Sequence, residues 1–281
     1  MLIKHLKDLY ISTLSSLYDE REAVSIFYIC AEDICSVSRR QLAVRDSIDD
    51  GDAEKLLAAL EELKKSIPVQ YVTGKAYFYG LMFNVDNRVL IPRGETEELV
   101  EWILCEHDDE TKKNVLDIGV GSGAICVSLS CERKNWRVEG VDVSSDAIQV
   151  AMSNAQNLSA DVKFICMDIL DEEKWTQTGK YDIIVSNPPY VLESERDSMH
   201  SNVTLNEPSI ALYVPDDKPL LFYSKIALYA TTHLNEGGCL YFEINEAYGK
   251  QTVEMLNDMG YRDVSLRSDI NGKDRMVRAC K

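Results

Sequence analysis

The residues best suited to chemistry are the four of Asn187-Pro188-Pro189-Tyr190, which follow directly on the apolar run Ile183-Ile184-Val185-Ser186. Two consecutive prolines cannot continue a sheet ladder, so the run is expected to be a strand that stops in a rigid, extended turn. Pro188 also pushes Asn187 away from helical geometry. In open α/β sheets the carboxyl ends of the strands are where ligands bind. There an asparagine side-chain oxygen and a proline carbonyl oxygen offer two acceptors, the complement of an NH2 group. An amide or aromatic amine nitrogen is a poor nucleophile because its lone pair is delocalised. If Asn187 and Pro188 each accept one of its N–H bonds, the lone pair is held toward an electrophile, and Tyr190 can pack on the flat face of the substrate. Such catalysis is orientation plus acceptors placed where positive charge develops, with no strong base. Pro-Pro turns also serve structure alone, so the companions of this one matter.

The companion is Asn114-Val115-Leu116-Asp117-Ile118-Gly119-Val120-Gly121-Ser122-Gly123-Ala124, a buried strand that runs into a glycine-rich turn and then a helix. Glycines allow the tight turn and let a ligand approach the backbone at the helix start. A lone G-x-G is weak, and its position between strand and helix strengthens it. Asp142 ends the next strand, Val138 to Val143, about 20 residues after Gly123, where an acid that binds ribose hydroxyls is expected. A strand-end turn residue or a helix cap near Ser144 and Ser145 is the alternative for Asp142. The third glycine comes one position earlier than in the dinucleotide fingerprint, and Asp117 and Asp142 rim the site. Both points suit S-adenosylmethionine, which has a cationic sulfonium and no phosphate. Asp168-Ile169, after the third strand, could meet the adenine as polar acceptor and apolar contact, or be an ordinary loop.

These motifs need a frame to hold them. From Val89 onward short apolar strands alternate with helical stretches, the signature of a parallel sheet covered on both faces. The strands are expected at Val115 to Ile118, Val138 to Val143, Val162 to Met167, Ile183 to Ser186 and Cys239 to Ile244. Two last runs, Asp263 to Arg267 and Arg275 to Ala279, flank Asn271-Gly272 and suggest an antiparallel hairpin at the sheet edge. Residues 1 to 67 read as helices: Leu6, Tyr10, Leu14 and Leu17 share one face, and Leu56, Leu60, Leu63 and Ile67 repeat in steps of four and three until Pro68. The Tyr-, Phe- and Val-rich segment from Gln70 to Val85, broken at Gly74 and Gly80, resembles a hairpin. The organisation expected is therefore 1–67 helical, 68–88 hairpin linker and 89–281 main domain.

Composition bounds the rest. The 281 residues, 45% hydrophobic and 27% charged, carry a formal net charge of −17. That excess repels phosphates, and the basic pairs Arg39-Arg40, Lys64-Lys65 and Lys112-Lys113 are isolated beside acids, so gripping long nucleic acid is disfavoured. The eight cysteines form no C-x-x-C pair, and several lie in apolar runs, so they read as reduced core residues. With no signal peptide and no membrane-spanning stretch, the expectation is a cytoplasmic protein. Four scattered histidines exclude an evident metal site.

The chain closely resembles the HemK/PrmC family of release factor glutamine methyltransferases over nearly its whole length. The resemblance rests on Pro68-Val69-Gln70-Tyr71-Val72-Thr73-Gly74, Phe78-Tyr79-Gly80-Leu81 and Val89-Leu90-Ile91-Pro92-Arg93-Gly94-Glu95-Thr96-Glu97. The glycine loop, Asp142 and the Asn187 tetrapeptide follow in family order, as do Asn206-Glu207-Pro208, Glu243 and Gly272-Lys273-Asp274-Arg275. It implies an α/β fold: a Rossmann-like class I methyltransferase domain, with a mostly parallel sheet and an antiparallel C-terminal edge hairpin, behind a small all-helical domain and a β-hairpin linker. It implies S-adenosylmethionine as cofactor, contacted by Gly119, Val120, Gly121, Ser122, Gly123, Asp142 and Asn187, with Ile169, beside the Asp168 read above as a polar acceptor, at the adenine. Asn187, Pro188, Pro189 and Tyr190 would hold the glutamine of a Gly-Gly-Gln motif in a peptide chain release factor, docked by the helical domain onto a monomeric enzyme. Two positions depart from the pattern: Gly94 stands where the family usually has proline, and Ile169 where some members carry an aromatic. The same tetrapeptide serves enzymes that methylate exocyclic amino groups of adenine or guanine, which makes a nucleic acid methyltransferase the alternative. A cofactor-binding module without catalysis would not need the tetrapeptide.

Overall fold

Apolar residues three and four apart fold the first part of the chain into helices that bury one face each. In the computed structural model, which describes residues 1–107 and 111–281, these are α1 (Ile3–Leu14), α2 (Glu20–Cys35), α3 (Arg39–Ala43), α4 (Asp50–Leu63) and α5 (Val69–Thr73). Leu6, Tyr10 and Leu14 of α1 are fully buried with Phe27 of α2 and Leu56 and Leu63 of α4. The Tyr10 hydroxyl is satisfied by the Leu56 carbonyl at 2.6 Å. Side chains of Asp19 and Asp49 cap α2 and α4 by accepting from the amides of Glu22 and Asp52. The helical unit comprises Met1–Lys75 and also His200–Asn206, from far along the chain. Asn206 Nδ2 donates to the Ser66 carbonyl at 2.9 Å, and the rings of His200 and Tyr18 stack 6.3 Å apart.

Two boundaries differ from the sequence reading. Helix α4 stops at Leu63, ahead of Pro68, because the chain reverses through Ser66 at φ +63°. Pro68 instead precedes α5, so Gln70 to Thr73 is a helical turn and not the first arm of a hairpin. A proline lacks the N–H that a helix start leaves unpaired, and Gly74, at φ +72°, closes the turn.

The second unit, Ala76–Met199 with Glu207–Lys281, holds the sheet. Strands β1 (Lys75–Phe78) and β2 (Leu81–Asn84) form a hairpin across Tyr79 and Gly80, both at positive φ as a two-residue hairpin turn requires. There follow α6 (Gly94–Glu106), β3 (Asn114–Ile118), α7 (Ala124–Glu132), β4 (Arg137–Asp142), α8 (Ser145–Asn157), β5 (Val162–Cys166), β6 (Tyr181–Ser186) and β7 (Val191–Leu192). After α9 (Ser201–Asn206), which belongs to the helical unit, come β8 (Tyr213–Val214), α10 (Leu221–His233), β9 (Leu234–Glu243), α11 (Gly249–Asp258), β10 (Arg262–Ser268) and β11 (Asp274–Cys280).

Among the described residues, seven strands make one sheet in the order β10-β11-β9-β6-β3-β4-β5. The pairs among β9, β6, β3, β4 and β5 are parallel, and β10 and β11 form the antiparallel hairpin at the edge. The expected α/β class with a mostly parallel sheet is borne out. From β3 the chain winds outward through β4 and β5, then returns to place β6 on β3's other side. The crevice above the β3 and β6 carboxyl ends is thus the topological switch point, where open sheets bind ligands. Both motifs singled out above leave the sheet there.

Reading all eight cysteines as reduced is corrected by the structure. Cys239 and Cys280 face each other in the β9/β11 register, their Cα atoms 4.1 Å apart, and are joined by a disulfide. The other six cysteines are free thiols, as read from the sequence. No helix among the described residues is long and apolar enough to cross a membrane.

Candidate active site

The glycine loop is built by backbone conformation. Gly119, Gly121 and Gly123 all lie at positive φ (81°, 51° and 85°), which side-chain-bearing residues rarely adopt. The Gly119 amide donates to the Val141 carbonyl at 2.8 Å, tying the start of the loop to the end of β4. Asp142 then braces the middle: its Oδ2 accepts from the Gly121 amide at 3.0 Å and its Oδ1 from the Ser144 amide at 2.9 Å. Each oxygen retains a lone pair. Burial pushes the Asp142 carboxyl up from the ordinary value, against the backbone hydrogen bonds that favour its charge.

The loop opens onto a cavity of about 240 Å³. Gly119, Gly121, Asp142, Asp168, Ile169, Asn187, Pro188 and Pro189 all line it, so most of the residues selected by sequence come together around one space. Val120, Ser122 and Gly123 do not line it. Val120 is buried, and a Cβ on Gly140 would stand 2.6 Å from its Cγ1. The Ser122 carbonyl accepts from Asn154 Nδ2 at 2.9 Å, and Gly123 packs tightly on Ala151 and Val127 at the start of α7. These three shape the loop from behind.

Asp168 and Ile169 face the cavity as expected, with the Ile169 carbonyl anchored by Trp175 Nε1 at 3.0 Å. Met167, Phe222 and Ile226 add apolar wall, and Pro208 and Ala211 close another side. Sequence reading did not find these wall residues, because they come from separate connections and from α10. Arg93 Nη2 holds the buried Glu207 at 2.6 Å, which fixes the segment leading to Pro208. Acceptors at Asp142 and Asp168, positive-φ glycines that admit a ligand to the backbone, and an apolar wall fit a nucleoside carrying a cation. That donor set accommodates S-adenosylmethionine.

Across the crevice, the register pairs Ile118 with Ser186, and Ser186 Oγ donates to the Ile118 carbonyl at 2.6 Å. The tetrapeptide that follows is pinned at several points. Asn245 Nδ2 donates to the Tyr190 carbonyl at 3.2 Å, and the Tyr190 hydroxyl donates to Glu243 Oε1 at 3.0 Å. Tyr190 does not line the cavity; its ring is partly buried against the core. Asn187 Nδ2 donates to Thr96 Oγ1 at 3.1 Å, and Thr96 Oγ1 donates to Glu243 Oε2 at 2.6 Å. Neither Asn187 Oδ1 nor the Pro188 carbonyl accepts a hydrogen bond from the described residues. Both residues line the cavity, and these two acceptors are without a partner among the described residues.

Asp117 lies beneath the loop, fully buried. Its Oδ2 accepts from the Cys126 amide at 3.1 Å, while Oδ1 has no partner among the described residues. Burial pushes its carboxyl up to about 7. No cluster of three or more histidine, cysteine, aspartate or glutamate side chains able to hold a metal occurs among the described residues.

Comparisons with known proteins agree with this geometry. The family described as "Methyltransferase small domain" matches residues 98–209. The chain is 42% identical over 283 aligned residues to the release factor glutamine methyltransferase of Flavobacterium psychrophilum, covering 99% of each. It is 46% identical to the enzyme of that name from Bacteroides thetaiotaomicron, covering 77% of each. Among solved structures, a methyltransferase from Pyrococcus furiosus superposes with a TM-score of 0.51 at 16% identity, covering 82% of this chain and 98% of that one.

Proposed function

Because the chain belongs to the release factor glutamine methyltransferases, we propose that the cavity beside Asn187-Pro188-Pro189-Tyr190 is where a glutamine side chain of a peptide chain release factor receives its methyl group. The protein is a protein-glutamine methyltransferase, and S-adenosylmethionine is its cofactor. When bound, the cofactor supplies a methyl group on a cationic sulfur. Gly119, Gly121 and Asp142 hold its nucleoside and amino acid parts in this reading, with Asp168 and Ile169 at the adenine.

The observation that carries the reading is the pair of free acceptors, Asn187 Oδ1 and the Pro188 carbonyl, on the wall of the same cavity as the glycine loop. Each accepts one N–H of the substrate amide and so turns the nitrogen lone pair toward the methyl group. With the cofactor bound, the two acceptors would stabilise the positive charge that develops on the amide nitrogen as it takes the methyl group, and the surplus N–H proton would pass to water. Orientation and fixed dipoles supply the rate enhancement. The Tyr190 hydroxyl, tied to the buried Glu243, is not a base in this scheme.

The substrate motif is Gly-Gly-Gln, whose two glycines leave the backbone narrow enough to reach a recessed cavity. The helical unit docks the body of the factor, the enzyme acts as a monomer, and it works in the cytoplasm, the compartment of translation. The test is transfer of labelled methyl from S-adenosylmethionine to a release factor, run beside its Gln→Ala variant and total RNA. Label on the intact factor alone is expected. Label on RNA, or on the Gln→Ala factor, refutes the substrate assignment.

A further inference from the structure

A buried carboxylate stands behind the two hydrogen-bonding side chains of the tetrapeptide. Glu243, at the end of β9, is 1% exposed. Its Oε2 accepts from Thr96 Oγ1 at 2.6 Å and its Oε1 from the Tyr190 hydroxyl at 3.0 Å. Thr96, on the first turn of α6, is 4% exposed and also receives Asn187 Nδ2 at 3.1 Å. A carboxylate can only accept, and a threonine hydroxyl has a single proton to give. Glu243 therefore commits the Thr96 proton to itself, and what Thr96 presents to Asn187 is a lone pair. An asparagine amide has one donor end and one acceptor end. With its donor end held by Thr96, its acceptor end must be the one left for the cavity.

We propose that Thr96 and Glu243 are positioning residues that fix the polarity of Asn187, so that the site takes an amide NH2 and rejects a carboxylate. The inference rests on the reading of Asn187 as the acceptor of the substrate amide and names what enforces it. With Oδ1 and the Pro188 carbonyl both accepting, a glutamine finds two matched partners, whereas a glutamate in its place sets its oxygens against two more. If the Asn187 side chain were free to turn over, it would present an N–H instead. Half of the substrate's NH2 would then lose its partner, and a glutamate would gain one. Glu243 holds the Tyr190 hydroxyl with its other oxygen, so one buried group orients both polar side chains of the turn.

The experiment compares wild type with Thr96→Val, Thr96→Ser, Glu243→Gln and Asn187→Ala on a glutamine peptide, with the matching glutamate peptide as competitive inhibitor. Valine keeps the shape of threonine and removes the hydroxyl, and serine keeps the hydroxyl. Thr96→Val is expected to lower kcat by about tenfold or more, on the scale of one misdirected orienting contact, with the dissociation constant for S-adenosylmethionine changed less than about threefold. Thr96→Ser is expected to restore most of the loss. The inhibition constant of the glutamate peptide should fall by about tenfold in Thr96→Val, a gain of binding that a packing defect does not produce. Wild-type turnover and unchanged glutamate discrimination in Thr96→Val, with Asn187→Ala inactive, would overturn the inference and leave the acceptor role of Asn187 standing. Equal losses in the valine and serine variants would also overturn it, by reducing Thr96 to packing. Wild-type turnover in Asn187→Ala would instead refute the underlying reading. Thermal melts of each variant exclude unfolding as the cause, and Thr96→Val carries the test if Glu243→Gln does not fold.

Discussion

Replacing Gly140 by alanine should loosen the cofactor without touching it. Gly140 lies in β4, paired with Asp117 of β3 on one side and Phe164 of β5 on the other. A Cβ there would stand 2.6 Å from Val120 Cγ1 and 3.3 Å from two ring atoms of Phe164. Carbon atoms prefer separations of about 3.5–4.0 Å, so Val120 must retreat by roughly 1 Å. Valine is stiff about χ1, and this one is buried, with its amide bonded to the Val141 carbonyl at 3.2 Å. The displacement therefore goes into the backbone between Gly119 and Gly121, both of which line the cavity. Overpacking of this kind costs about 1–3 kcal/mol. If about half of that appears as lost complementarity to the cofactor, the dissociation constant rises by roughly two- to tenfold, since 1.4 kcal/mol is a factor of ten. Titration calorimetry with S-adenosylmethionine reads that change, and a thermal melt should show a fall of several degrees. Val120→Ala removes the clashing methyl, so the double variant should recover the affinity, with a coupling of about 1–2 kcal/mol. Additive effects of the two substitutions on the dissociation constant would refute the claim that Val120 transmits the strain.

Gly94 opens α6, Arg93 before it is extended (φ −107°, ψ 150°), and no atom of the described residues beyond its chain neighbours and its own helix backbone lies within 4 Å of a Cβ built on Gly94. Gly94→Pro should therefore raise the stability by about 0.5–1 kcal/mol in denaturant melts with turnover unchanged, because proline suits a first helical position; a loss of stability would count against that geometry. The Asp117 carboxyl, at about 7 in the folded protein against an ordinary 3.8, keeps a proton there that the unfolded chain has released. Its contribution to stability is present below the unfolded value and is lost as pH rises through 7, at a slope of at most about 1.4 kcal/mol per pH unit. Melts of the cofactor-free protein at pH 5, 6 and 7 should show a shallower decline in Asp117→Asn, and parallel profiles would contradict the assignment. If the helical unit docks the substrate, removing residues 1 to 67 should weaken KM for a whole release factor more than for a short Gly-Gly-Gln peptide. Equal losses for both would count against docking.

Much of the catalytic unit was legible because its signals are local. The apolar run ending at Ser186 and the two prolines after it fix a strand and its stop, and the run from Asn114 to Gly123 fixes another with its turn. Once both strands are parallel neighbours, the two motifs have to meet at one sheet edge. The support behind them was not legible in the same way. Thr96 and Glu243 are 147 residues apart and meet because α6 and the end of β9 converge on the tetrapeptide. Val120 sits inside the cofactor motif yet faces Gly140, which depends on the side to which the loop turns its one branched residue. The pairing of Cys239 with Cys280 is a matter of β9/β11 register that spacing alone does not give. The end of α4 was misjudged because Pro68 draws attention as a breaker, while the reversal happens at Ser66, whose positive φ no local sequence rule demands.

The assignment of His200–Asn206 to the helical unit has a consequence for how the chain comes to be folded in the cell. Residues 1–75 leave the ribosome first, but the segment that completes their unit is made only after the cofactor loop and the tetrapeptide, on the order of 10 s later at ordinary elongation rates. Until then the Ser66 carbonyl lacks Asn206 and Tyr18 lacks the ring of His200. The helical unit, begun ahead of the sheet unit, is therefore completed only when most of the sheet unit has been made, and its last piece is delivered by a stretch that already carries the catalytic turn.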